Sequence, residues 1–204
     1  MFFLKIMSMR KVSYCHNDAY LIDEEFKSKI ISDLYDSIPI RQFRYKILNN
    51  EEDKNLLERG THLLQKNNYS IGYNTLGSKK YIFFTQYKEK NYCFDIDTKK
   101  LSYSKQKVKI SDVKIHGLNF RVNDSFYKKT ILWGDMIRTK SGKWFFNICD
   151  VLFLKGRNMI KEKLNKKLEI LENCFKIDYK SDKNFEPCPL KINKLFKYNK
   201  LTNV

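Results

Sequence analysis

The chain has 204 residues, 42% of them hydrophobic, 15% aromatic and 31% charged, with a formal net charge of +17. Apolar content of that size excludes wholesale disorder, and the length suits one domain with ragged ends at most. The five cysteines, Cys15, Cys93, Cys149, Cys174 and Cys188, are scattered without a C-x-x-C pair. That pattern speaks against a disulfide framework or a zinc site and fits a reducing compartment.

The opening MFFLKIM is apolar but too short to span a membrane or act as a signal segment. Residues 1–18 have no clear period and read as an N-terminal arm. The stretch YLIDEEFKSKIISDLYDS (20–37) has Leu21, Phe26, Ile30, Ile31 and Leu34 at helical spacing. Asp23 can cap its first turn, and Ile38-Pro39 ends it, because the residue before proline avoids helical backbone. A second helix is predicted over about 51–65, with Leu56, Leu57, Leu63 and Leu64 buried.

From Tyr69 the period changes to two. SIGYN, KKYIFFTQYK, NYCFDID and KLSYSK read as strands of an antiparallel meander, and the pattern continues through 106–122. KKTILWGDMIRT and KWFFNICDVLFL form a predicted hairpin across Lys140-Ser141-Gly142-Lys143. A late helix is predicted over 157–173, with Ile160, Leu164, Leu168 and Leu171 on one face. A proline-bearing linker (178–189) and a last strand in LKINKLFKY follow. Helices followed by many strands define an α+β domain on antiparallel sheet.

A net charge of +17 draws RNA, DNA, nucleotides or an acidic partner. Charge alone does not decide the matter. Alanine occurs only at Ala19 while Lys, Asn, Ile, Phe and Tyr abound, the bias of an AT-rich genome.

Motif order carries more. The segment IPIRQFRYKILNNEEDKNLLERGTHLLQKNNYSIGY leads to Asn74-Thr75-Leu76-Gly77-Ser78-Lys79 and the apolar run KYIFF. Then come FDID-Thr98, Leu132-Trp133-Gly134-Asp135, and WFFNICDVLFLKG with Asp150 and Gly156, before a helix and FEPCPLKINKLFKY. In that order the chain resembles the covalent nucleotidyltransferases, specifically the mRNA-capping guanylyltransferases of eukaryotes and viruses. The similarity runs from about Ile38 to the C-terminus. It implies a ligase-type (ATP-grasp-like) nucleotidyltransferase domain over 19–204. The family's later E-G motif, paired-lysine strand and OB-fold lid have no counterpart here.

The resemblance also implies what the site has lost. The family's K-x-D-G-x-R supplies a lysine that attacks the α-phosphate of GTP, and such an amine must be neutral to act. Asn74 stands at that position, and an amide has no nucleophilic lone pair. Leu76 stands for the acid two residues on, Thr98 for the arginine of Ile-Asp-Arg, and Trp133 and Asp135 for the acids of Leu-Asp-Gly-Glu. Metal-assisted transfer needs carboxylates around a divalent cation, and these are depleted. Lys79 or Lys80 as a relocated nucleophile would sit too far along the strand for pre-organised attack.

By the same resemblance, Asn74, Gly77, Lys79, Trp133, Asp135, Phe146 and Asp150 are the expected nucleotide-binding residues. No catalytic residue or metal ligand is assigned. Phe146 is the expected base-stacking ring and Trp133 a second aromatic wall. Alternation puts Phe145 and Phe146 on opposite faces, so at most one lines a cleft. His16, His62 and His116 are isolated and receive no role.

The leading expectation is a degenerate guanylyltransferase-like protein that binds guanine nucleotide, cap or an RNA 5′ end. One alternative is a structural or assembly subunit of a viral transcription or capping complex, bound to RNA polymerase or other capping subunits. Another is the active guanylyltransferase part of a split enzyme, using GTP and Mg. The expected setting is intracellular, in cytoplasm, viral factory, virion or nucleus, with no membrane contact.

Overall fold

A computed structural model describes residues 10–39, 70–72 and 75–197. They form a mixed α+β domain on a mostly antiparallel sheet. The first hairpin, β1 (Arg10–Tyr14) and β2 (Asn17–Leu21), turns at Cys15 and His16, both at positive φ. This corrects the reading of residues 1–18 as an arm: from Arg10 onward they are sheet, and only 1–9 lie outside the described residues. No period was visible because β1 is an edge strand with little of it buried.

Helix α1 (Glu24–Ser37) starts four residues later than its apolar spacing suggests, since Tyr20 and Leu21 belong to β2. The Asp23 carboxylate caps it, accepting from the Phe26 amide at 2.8 Å, and Glu24 and Glu25 suit the positive end of the dipole. Ile38 is extended before Pro39, as expected. The helix predicted over 51–65 lies outside the described residues.

Strand β4 (Ser78–Tyr87) is the centre of the molecule. It pairs antiparallel with β5 (Lys90–Asp97) through a tight turn at Lys88 and Glu89, both at positive φ, as a right-twisted hairpin demands. On its other side lies β7 (Thr130–Arg138), which forms a hairpin with β8 (Trp144–Leu154). Strand β6 (Ile115–Leu118) joins β5 to β2. Residues 99–114 contain short 3-10 turns, not the strand expected in KLSYSK. The Asp97 side chain accepts from the Lys99 amide and starts the first of these turns.

Strand β3 (Ser70–Gly72) does not join this sheet. It pairs with β11 (Leu195–Lys197) in a separate ribbon. The expected last strand is in fact two. Strand β10 (Leu190–Ile192) pairs parallel with β8, and β11 follows it. The expected helix over 157–173 is α2 (Leu164–Asp178), because Arg157–Asn158 form β9 against the end of β8.

The helices cover opposite faces. Tyr81 and Phe83 pack with Phe26, Ile30, Ile31 and Leu34 of α1. Their neighbours Ile82 and Phe84 pack on the α2 side with Leu168 and Leu171. A strand buried on both faces needs a continuous apolar run rather than alternation, which is what Tyr81-Ile82-Phe83-Phe84 supplies.

Candidate functional site

The β7–β8 pair carries a bulge where Trp133 opposes Asp150 and Gly134 opposes Ile148. Gly134 is required there, since a Cβ would stand 2.0 Å from the Asn147 carbonyl oxygen. Gly77 is held as closely, with a Cβ position 2.7 Å from the Met136 carbonyl oxygen and 2.8 Å from Asp135 Cβ. The Gly77 approach brings the residues just before β4 onto β7.

Register then sets the face. Lys79 opposes Asp135, and Tyr81 opposes Trp133. Lys79, Trp133, Asp135 and Asn147 therefore share the sheet face that α1 covers further along. The Lys79 ammonium lies 2.9 Å from Asp135 Oδ1 and 3.1 Å from Oδ2, and 5.2 Å from the centre of the Trp133 ring. The Thr75 hydroxyl also donates to Asp135, which is fully buried. Thr98 donates to the Lys79 carbonyl oxygen at 2.9 Å.

The residues singled out in the sequence are thus partly assembled. Gly77, Lys79, Trp133 and Asp135 come together, and Asp150 stands across from Trp133. Asn74 lies outside the described residues, and Leu76 is fully exposed. Phe146 is a correction. It has no exposed surface and packs in the α2-side core with Met136 and Ile148, so it offers no ring to a base. Phe145 is the ring on the Lys79 face. It is half-buried, with the Lys191 ammonium 4.7 Å from its centre. Alternation narrowed the choice to one of the two, but which face the core takes is a tertiary matter.

The carboxylates are already neutralised. Asp135 is paired with Lys79, and Asp150 accepts from the buried Lys167 of α2 at 3.0 Å. Among the described residues no three His, Cys, Asp or Glu side chains gather as a metal site. Carboxylates bound to internal ammonium groups do not fit the divalent-cation role that the resemblance implies. Lys80 is engaged too, 2.8 Å from Asp95 and 3.8 Å from Asp97.

Sequence reasoning missed this second cluster altogether. Asp95 Oδ2 accepts from Tyr14 at 2.8 Å and from Lys80 at 2.8 Å, and it meets His116 Nδ1 at 3.4 Å. Burial pushes the Asp95 carboxyl up, but the His116 hydrogen bond, the Lys80 charge and the Tyr14 hydroxyl together hold it below the usual carboxylate range. Burial, then the Asp95 charge, raises the Tyr14 phenol. The four residues come from β1, β4, β5 and β6, so no local pattern could reveal them.

No family model and no curated protein sequence matches the chain. The fold belongs to the class of mixed α+β domains with a mostly antiparallel sheet and few helices. No described helix is long and apolar enough to cross a membrane.

Proposed function

We propose that this chain binds a guanine nucleotide, cap or RNA 5′ end on the Lys79–Trp133 face and does not transfer it. The reading takes the domain as a nucleotidyltransferase-type fold without the OB lid, retained for recognition after loss of chemistry. The observation that carries it is one cation and one indole held together on a sheet face, with Asp135 fixing the cation. A base can stack on the half-buried Trp133 for about 1–3 kcal/mol. A positively charged methylated guanine can take the place of the Lys79 ammonium over that ring, leaving the lysine to meet phosphate. Phe145 and Lys191 extend the same combination along β8 and β10. The amide at Asn74 and the engaged ammonium groups of Lys79 and Lys80 support binding over covalent capture.

Tryptophan fluorescence tests this reading. In a Trp144→Phe background, Trp133 is the sole reporter. Cap analogue, GTP and short 5′-triphosphate RNA should each quench it saturably, and Lys79→Ala should weaken the phosphate-bearing ligands. Flat titrations at millimolar ligand with folded protein would remove the proposal.

A second reading is favoured by one observation, the internal neutralisation of both Asp135 and Asp150. A site whose charges are spent on its own fold suits an assembly subunit of a transcription or capping complex. Co-purification with polymerase or capping subunits, combined with flat ligand titrations, would select it.

A further inference from the structure

Three sulfur atoms from distant parts of the chain meet on the α2 side of the sheet. Cys15 lies in the β1–β2 turn at φ 53°, Met136 in β7, and Cys188 between two prolines before β10. Cys15 Sγ is 3.8 Å and Cys188 Sγ 3.7 Å from Met136 Sδ. Both thiols thus contact the same thioether sulfur.

We infer that Cys15, Met136 and Cys188 form a site for one copper(I) ion, held in a trigonal arrangement by two thiolates and a thioether. Metal–sulfur bonds of about 2.3 Å in a plane place three sulfurs about 4 Å apart, close to the 3.8 and 3.7 Å that separate Cys15 and Cys188 from Met136. Thiolate and thioether donors without oxygen select a soft monovalent cation over calcium or magnesium. Zinc would demand a fourth ligand in a tetrahedron. A cavity of about 200 Å³ lined by Cys15, His16, Trp144, Lys183, Glu186 and Cys188 opens onto the two cysteines and gives the ion a way in. Cys15 is half-buried at its wall, while Met136 and Cys188 are 4% and 3% exposed. On binding, each thiol gives its proton to water and copper stays in the +1 state. The site gains one net negative charge. The inference stands apart from the nucleotide reading, because these residues lie on the opposite face of the sheet.

The test uses the full-length chain, reduced and free of oxygen, titrated against copper(I) held by a colorimetric chelator. One equivalent should leave the chelator. Cys15→Ser and Met136→Leu should each weaken retention at least tenfold, and Cys174→Ser, on α2 away from the site, should change nothing. Cys15 is half-buried and Met136→Leu conserves volume, so both variants keep the fold, checked by circular dichroism. No copper withdrawn, or equal retention by all three variants, would overturn the site.

Discussion

Lys79 reaches across from β4 to bind both carboxylate oxygens of Asp135 on β7, at 2.9 and 3.1 Å. Asp135 has no exposed surface while the Lys79 side chain keeps 29% of its own. The pair is therefore asymmetric. Lys79→Met would strand a buried carboxylate with Thr75 as its remaining strong donor, and should cost about 3 kcal/mol. Asp135→Leu releases a lysine that can turn to water, and the double variant should recover much of the loss. Denaturant unfolding of the four proteins closes the cycle, and simple additivity would show that the two side chains do not interact.

Acid should weaken the fold through Asp95. Its native pKa lies below the unfolded value of about 3.9, so its contribution is fully present above that value. It is lost as pH falls through the lower native pKa. Glu186 acts with the opposite sign: burial raises it, so its protonation on acidification favours the folded state. Unfolding midpoints measured from pH 7 down to pH 3 should fall more steeply in the parent than in Asp95→Asn. The variant should also be less stable throughout, because Lys80 loses its nearest partner.

Phe145 and Phe146 should separate stability from binding. Phe146→Ala empties a fully buried position and should cost about 3–5 kcal/mol. Phe145→Ala should cost far less and, on the nucleotide reading, weaken ligand affinity. Thermal melts and the Trp133 titration read the two effects independently.

Gly134→Ala should prevent normal folding. Its Cβ would lie 2.0 Å from the Asn147 carbonyl oxygen, which belongs to the backbone of a central strand and has no room to yield. Gly142→Ala, at φ +82° in the β7–β8 turn, meets nothing closer than 3.9 Å. It should cost only about 1 kcal/mol for the left-handed backbone. Soluble yield and melting temperature of the two variants provide the comparison.

Incubation with labelled GTP and magnesium should leave the protein unlabelled on a denaturing gel. A stable protein–GMP band that disappears in Lys79→Ala or Lys80→Ala would reverse the assignment of a non-transferring site.

Much of the scaffold was legible in the chain. The Asp23 cap, the stop at Ile38-Pro39 and the hairpins around β4–β5 and β7–β8 follow from local chemistry: a carboxylate that satisfies free amides, a proline that forbids helix, and apolar runs broken by turn residues. Gly77, Lys79, Trp133 and Asp135 are singled out by the motif resemblance, and the β4–β7 register sets Lys79 opposite Asp135 and Tyr81 opposite Trp133. Edges were less legible. The strands β1, β3 and β9 to β11 are short or exposed, and β3, β10 and β11 pair with partners far away in sequence, so period and composition say little about them.

Tertiary structure alone decided the rest. Which of Phe145 and Phe146 enters the core depends on where α2 docks. The Tyr14–Lys80–Asp95–His116 cluster and the Cys15–Met136–Cys188 triangle each join residues from separate strands and turns. Residue type is written locally, but the charge a buried carboxylate keeps and the distance between two sulfurs are set by how the sheet closes around them.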